Sequence, residues 1–473
     1  MIKVSDVLRH YIDGAWAEPA DSTTADIVNP ATGETTGRLA LGTEADVDSA
    51  VAAARRAFVS YSQLSVAERV ELLQKIAAEY ERRADDMAAA VTADIGTPLF
   101  LARLSADAAV GSIRELVEIL PEYAFEERRG GYTVRKEPIG VCGLIPPWNY
   151  PALQMTEKVV PALAAGCTTV LKPAEIAPYS AQVFAEILDA AGVPQGAFNM
   201  VVGKGSVAGS ALTKHPDVDM ISFTGSTAVG IQIQKDAADT VKRVTQELGG
   251  KSAHIILPDA DIQTAVATAV QGVMGNSGQT CVAPTRTLIP RSRRDELVGA
   301  ITAAVEAVTV GDPQTQVFMG PVSSERQWQT VQRYIQAGID EGATLATGGP
   351  GQPEDVKGGW FARPTVFADV TNDMTIAREE IFGPVMSLIT YDTVDEAVDI
   401  ANDSPYGLMA YVSGADQEQV RDVAARVRAG QVLLNGAQLD LTAPFGGYKQ
   451  SGNGRIWGVA GLEENLEVKA VVG

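Results

Sequence analysis

Three short segments carry residue types suited to nucleophilic, acid–base and oxyanion chemistry. NSGQTCVAPTR, residues 276–286, sets Cys281 among small and polar neighbours, where a thiolate can act as a nucleophile. QELGGK puts Glu247 before Leu248 and a glycine pair, a position for a general base beside a cleft. PPWNYP follows an apolar run with Trp148 and Asn149, and the asparagine amide can donate to an oxyanion. Each has a plainer reading. Cys281 is equally a packed core thiol or a ligand, Glu247 a surface carboxylate, and PPWNYP a Pro-rich turn with an aromatic packed over it. Singly, the three leave these alternatives open.

A second set of segments suits a nucleotide. In VLKPAE, Lys172 and Glu175 close a strand, where they could meet ribose or phosphate oxygens; a solvated loop is the alternative. FTGSTAVG, residues 223–230, ends a strand at Phe223, turns at Gly225 and puts Ser226 at a helix start. That helix terminus can face a phosphate, or Ser226 can simply cap it. GKGSVAG is spaced Gly-x-Gly-x-x-x-Gly, which departs from the dinucleotide fingerprint. EEIFGPV places Glu380 and Phe382 before a Gly-Pro turn, and APFGGYKQSGNGR (443–455) reads as a glycine-rich loop near a cleft.

The elements that must position these residues change rhythm along the chain. The first 120 residues read mostly as helices, one opening at Thr43 and another at a capping box of Ser65 with Glu68. From Ile139 strand and helix alternate: strands at 139–145, 168–173, 198–202, 219–225 and 242–248. Repeated βα units imply a parallel sheet with helices on both faces, and ligands beyond the carboxyl ends of its strands. A second series follows Gly249, with helices near 260–274, 293–308 and 324–341. Its strands are at 285–290, 385–391 and 431–435, around a helix capped by Thr393 with Glu396. EERRGGYTVRKEP (126–138) reads as a turn feeding a polar strand that could cross to another chain.

The totals exclude several functions. A net charge of −21 and 6% aromatic residues argue against a sequence-independent grip on nucleic acid. No apolar run reaches the ~20 residues of a membrane helix. MIKVSDVLRHYIDGAW lacks the apolar core of a secretory signal, so a cytoplasmic protein is expected. Cys142, Cys167 and Cys281 are widely spaced and odd in number, which fits a reducing compartment rather than disulfides. His10, His215 and His254 are scattered, so no metal site is expected, nor a histidine as helper to Cys281.

In chain order, PWN, KPAE, FTGSTxxG, ELGGK, GQxC, EEIFGPV and PFGGxKxSGxGR closely resemble the NAD(P)-dependent aldehyde dehydrogenase superfamily. The resemblance runs from YIDGAW (11–16) to EVKAVV (467–472). It implies an α/β fold of three parts. These are a Rossmann-like NAD-binding domain (1–118 and 139–248), a catalytic domain (249–450), and a small β oligomerisation extension (119–138 and 451–473) that builds a homodimer or homotetramer. It makes Cys281 the nucleophile, Asn149 the oxyanion donor, and Glu247 the base that activates water against a thioester.

On the cofactor side the resemblance implies a wall of Ile145, Pro146 and Trp148, with Lys172 and Glu175 at the adenosine ribose. Gly205, Phe223, Gly225, Ser226 and Val229 fall at adenine and pyrophosphate. Leu248 joins the cofactor contacts, and Glu380 and Phe382 fall at the nicotinamide ribose. A carboxylate at Glu175 would repel a 2′-phosphate, so NAD is expected over NADP. The positions matching the family's substrate tunnel are Tyr150, Glu157, Gly275 and Leu439, of which only the first is aromatic, so a wider or more polar pocket is expected. Glu157 either meets a cationic aldehyde or, more plainly, is solvated or paired with Lys158. Two rivals stand beside aldehyde oxidation. One is a CoA-acylating semialdehyde dehydrogenase, a branch that usually lacks the ELGGK glutamate; the other is a non-catalytic binding protein of the same fold.

Overall fold

The computed structural model describes residues 6–473, so the first five residues of the N-terminal segment read above lie outside it. Two sheets organise the chain. The first runs Gly452–Asn453, Arg243–Glu247, Met220–Thr224, Val141–Ile145, Thr168–Leu171, Phe198–Met200, His10–Ile12, Ala15–Ala17. Its five inner strands, from Arg243–Glu247 to Phe198–Met200, are parallel. Val141–Ile145 and Thr168–Leu171 are buried at every position, as strands covered by helices on both faces must be.

The helix Pro151–Ala165 crosses between those two strands. Proline at its first position suits the fixed backbone angle there, and Gly166, left-handed at φ 96°, ends it. The capping box of Ser65 with Glu68 forms, and Thr43, read only as a helix start, makes a second one with Asp46.

The second sheet runs Thr344–Thr347, Thr365–Ala368, Val385–Tyr391, Arg286–Pro290, Ala253–Ile256, Met409–Ser413, Gln431–Leu434. All its pairings are parallel except that of the edge strand Thr344–Thr347. A third, three-stranded antiparallel sheet joins Glu126–Arg129, Tyr132–Pro138 and Leu466–Val472.

Several expectations need correction. The first forty residues hold four short strands before any helix: His10–Ile12, Ala15–Ala17, Thr24–Val28 and Thr35–Ala40. Three to six residues are too few to show a period of two, so these strands are set by partners elsewhere, as Tyr11 is by Met200. Ala253–Ile256, Thr344–Thr347, Thr365–Ala368 and Met409–Ser413 also escaped the pattern. The segments 119–138 and 451–473 hold more than the strands of the third sheet. The helix Leu99–Glu122 continues past residue 119, Gly452–Asn453 pairs with the first sheet, and the helix Gly458–Glu463 packs on Pro151–Ala165. Among the described residues no helix is long and apolar enough to cross a membrane, and no cluster could hold a metal ion.

Candidate active site

Cys281 leaves a turn that the rest of the site holds in a costly conformation. After the helix Ile262–Met274, Asn276 and Ser277 take left-handed backbone angles, φ 50° and 56°. Such angles cost on the order of 1–3 kcal/mol outside glycine and persist only where neighbours enforce them. Here they do. Asn276 Nδ2 donates to the Asn149 carbonyl at 2.9 Å, and Thr97 Oγ1 donates to Asn276 Oδ1 at 2.8 Å. Ser277 Oγ donates to the Gly320 carbonyl, and Gln279 Oε1 accepts from the Ser323 amide. Tyr411 donates its hydroxyl to the Val282 carbonyl just beyond the cysteine.

Asn149 sits between the end of strand Val141–Ile145 and the helix Pro151–Ala165, 5% exposed. One of its amide hydrogens goes to the Gln279 carbonyl at 3.0 Å, which aims the amide at the cysteine turn. The Asn276 side chain thus holds the Asn149 main chain, while the Asn149 side chain holds that of Gln279.

Glu247 is the last residue of the strand Arg243–Glu247 and is buried, with one carboxylate oxygen lacking any partner. Burial holds its pKa well above the usual carboxylate range, against the pull of Lys158 and Arg455; Glu157 and Glu464 add to the rise. A carboxyl held high is a better proton acceptor once ionised. The Cys281 thiol is pushed up to about 12 by burial and then by the charges of Glu380 and Glu247. In this state the sulfur is a thiol at neutral pH, so attack on a carbonyl needs its proton removed.

Glu380 Oε1 accepts from the Gly250 amide at 3.1 Å, and burial lifts its carboxyl to about 7. A β-carbon on Gly249 would lie 2.2 Å from Glu380 Oε2, so only glycine permits this approach. Phe382, left-handed at φ 57°, meets the Trp148 ring edge-on at 5.4 Å between centroids. This end of the cleft therefore touches the cysteine turn through Gly250.

The remaining nucleotide candidates line the carboxyl ends of the first sheet. Lys172, 3% exposed in its side chain, pairs with Glu175 at 3.1 Å. Burial works to raise Glu175, but the charge and hydrogen bond of Lys172, with the Gly205 amide, hold it below its usual range. Ile145 and Phe223 are register partners, and a β-carbon on Gly225 would strike the Phe223 ring. Val229 is exposed, and Leu248, buried, donates its amide to the Ser451 carbonyl. Pro146 is buried beside them. Ser226 needs a correction: it occupies the cap position of helix Thr227–Ala237, but its hydroxyl makes no capping bond. An uncommitted hydroxyl at a helix N-terminus suits a phosphate oxygen.

Around the nucleophile, the Tyr150 hydroxyl lies 2.9 Å from Thr280 Oγ1, Gly275 opens the cysteine turn, and Leu439 is 42% exposed. Glu157 overturns the plainer expectation. It is 5% exposed, not solvated, and accepts from Trp457 Nε1, while Lys158 donates to Ser222 Oγ. Sequence reasoning gave Lys158 only as a partner for Glu157 and missed Trp457, Thr97 and Ser451. Ser451 Oγ donates to the Gly249 carbonyl and accepts from the Gly407 amide, so it pins the turn after Glu247. A buried lysine beside a buried glutamate was the only one of these signals visible in the sequence.

A half-buried thiol follows the turn held by the Asn149 amide, and a partnerless buried carboxylate oxygen lies at the carboxyl end of a parallel sheet in this α/β enzyme. The chain belongs to the aldehyde dehydrogenase family, whose match spans residues 16–471. It is 50% identical over 471 residues to 3-succinoylsemialdehyde-pyridine dehydrogenase from a Pseudomonas species, covering 99% of each chain. Among solved structures it superposes on aldehyde dehydrogenase C of Pseudomonas syringae, in complex with NAD+ and octanal, with a TM-score of 0.98. The two are 49% identical, over 98% of this chain and 96% of that one. Betaine aldehyde dehydrogenase of Staphylococcus aureus, in complex with NAD+, gives a TM-score of 0.96 at 37% identity, over 98% and 94%.

Proposed function

We propose that this chain oxidises an aldehyde to its carboxylate with NAD, through a covalent adduct on Cys281. The observation that supports it most is the joint placement of the Cys281 turn, the Asn149 amide and the partnerless carboxylate of Glu247. An aldehyde carbon cannot readily lose hydride by itself, because it is electron-poor. Addition of the Cys281 thiolate makes it tetrahedral, with an oxyanion that Asn149 and the Cys281 amide can stabilise. NAD, held by the residues named below, would supply the acceptor for the hydride that leaves this adduct. The product is a thioester on Cys281; water then adds to its carbon, giving one proton to Glu247 and expelling the thiolate.

The residues fit NAD on this chain's own features: the glycine cradle under Glu380, the Trp148–Phe382 pair, and the Lys172–Glu175 pair where a ribose would lie. A carboxylate there disfavours a 2′-phosphate. Glu247 also favours water over CoA as the acyl acceptor. Relatives named for betaine aldehyde and a pyridine semialdehyde, and one in complex with octanal, span 37–50% identity, so likeness alone selects no substrate. Three unpaired cysteines fit the cytoplasm. Tyr132, Val468, Val471 and Val472, exposed on the three-stranded sheet, fit a homodimer or homotetramer built through it.

The deciding experiment is NADH formation from a panel of aliphatic, aromatic, semialdehyde and amino-aldehyde substrates without CoA, with carboxylate assayed as product. NADH formation that persists in Cys281→Ala would overturn the mechanism. Sedimentation showing only monomer at micromolar concentration would overturn the assembly.

A further inference from the structure

We propose that Glu157 and Glu115, with the small cavity between them, bind the primary ammonium group of an amino-aldehyde substrate. This names a substrate class for the aldehyde oxidation proposed above and rests on that reading.

The cavity, of about 20 Å³, is lined by Glu157, Glu115, Ser112, Thr156, Trp457 and Gly458 over an apolar floor of Leu116 and Val160. Its polar lining accepts hydrogen bonds and has none left to donate. Glu157 is 5% exposed; one carboxylate oxygen takes the Trp457 Nε1 hydrogen, and the other has no partner. The Ser112 hydroxyl gives its hydrogen to the Ala109 carbonyl, and Thr156 gives its own to the Ala152 carbonyl, each at 2.9 Å. Both are left with lone pairs to offer. Glu115 Oε1 stands 3.4 Å from where a β-carbon on Gly458 would lie. No lysine or arginine is among the lining residues; Lys158, next in the chain to Glu157, donates to Ser222 Oγ at 3.0 Å instead. The group that suits such a lining carries a positive charge and several hydrogens, as a primary ammonium does. The volume admits one group the size of a water molecule. A trimethylammonium is larger and has no N–H to give.

Two walls join this cavity to the nucleophile. One is the helix Pro151–Ala165. Tyr150, just before it, lies 2.9 Å from Thr280 Oγ1 beside Cys281, and Gln154 and Glu157 follow on the same face. From Tyr150 to Glu157 the helix rises about 10 Å. Gln154 Oε1, midway, is also buried and without a partner. The other wall is aromatic: Trp457 meets Phe445 at 4.6 Å between centroids, in the packed cluster that Cys281 touches. One extended aliphatic chain therefore spans an aldehyde carbon at Cys281 and an ammonium at Glu157. The charges agree with this. Burial lifts Glu157 to about 8, against Trp457 and Lys158, and burial, with Asp440 and Glu118, lifts Glu115 to about 7. A positive group between the two would draw both into the ionised form.

The test is steady-state kinetics with aldehydes of matched chain length ending in a primary amine, a hydroxyl or a trimethylammonium, on wild type, Glu157→Gln and Glu115→Gln. Wild type should favour the amine over the alcohol by at least about tenfold in kcat/KM, the size of one charged hydrogen bond. The trimethylammonium should not share that advantage. In either variant the preference should fall at least about tenfold, through the KM of the amine with its kcat held. Saturation-transfer NMR with butylammonium reads the site without turnover: contact in wild type, lost in Glu157→Gln. Equal use of amine and alcohol by wild type overturns the proposal. So does an equal loss on both in the variants, which a merely structural role would give, or an absence of butylammonium contact in wild type. Each of these leaves oxidation at Cys281 standing. If wild type binds butylammonium but oxidises no aldehyde, the subsite stands and the function proposed above fails.

Discussion

A β-carbon on Gly250 would stand 2.5 Å from the carbonyl oxygen of Cys281. The segment after Glu247 and the segment that carries Cys281 thus touch backbone to backbone. The same glycine's amide binds Glu380, so one residue ties three functional groups together. Gly250→Ala must push the cysteine turn aside, and neither backbone has a flexible end to yield. A shift of about 1 Å in a reacting group costs about 100-fold in rate. The expected kcat loss is of that order, with a folded protein by circular dichroism; wild-type kinetics would refute the contact.

Glu247→Gln keeps the size of the side chain and removes its proton affinity. NADH should appear in one burst of about one equivalent and then nearly stop, with kcat down by about 100- to 10,000-fold. Acyl-enzyme mass should accumulate on Cys281. Undiminished steady-state turnover would exclude Glu247 as the base.

Burial and the charges of Glu380 and Glu247 hold the Cys281 thiol up at about 12. Alkylation of the cofactor-free protein should therefore rise about tenfold per pH unit from pH 7 to 9, following the thiolate fraction. A plateau below pH 8 would show a thiolate already formed in the resting enzyme.

Glu175→Gln removes the negative charge that Lys172 holds in place. Because this carboxylate is 44% exposed, screening limits its field, and kcat/KM with NADP should rise about tenfold relative to NAD. An unchanged ratio would place the selectivity elsewhere.

Glu157 carries a pH-dependent cost. Burial raises it from 4.5 to about 8, so between these values the native state binds more protons than the unfolded chain. Stability is therefore greatest below about pH 4.5 with respect to this group, and drains away as pH rises to about 8. Glu157→Gln keeps an acceptor for Trp457 and loses the dependence. Its melting temperature should gain on the wild type between pH 5 and pH 8; a difference that does not change with pH would refute the burial effect.

Much of this site was legible because its chemistry is carried by short contiguous motifs. Cys281, Glu247 and Asn149 each stand in a run that also supplies its own turn, so reading the run locates the residue. Glu157 was misread for the opposite reason. Its neighbour in sequence, Lys158, suggested an ion pair, but successive residues on a helix point in different directions, and its partner Trp457 lies 300 positions away. The N-terminal strands failed similarly: three residues such as His10–Ile12 acquire their character only from Met200 and Trp16 across the sheet. Ser226 was found in position but not in bonding, since a cap residue's hydroxyl can turn outward without moving the helix.

The pairing of Gly452–Asn453 with Gln246 and Glu247 also sets an order of events in biosynthesis. Asn149, the base and the cysteine all leave the ribosome well before the strand that closes the sheet edge beside Glu247. A chain stopped near residue 450 would hold its nucleophile in an almost finished fold while the base still lacked its flanking strand and Arg455. If Cys281 and Glu247 act as proposed, such a fragment would form the thioester more readily than it could hydrolyse it.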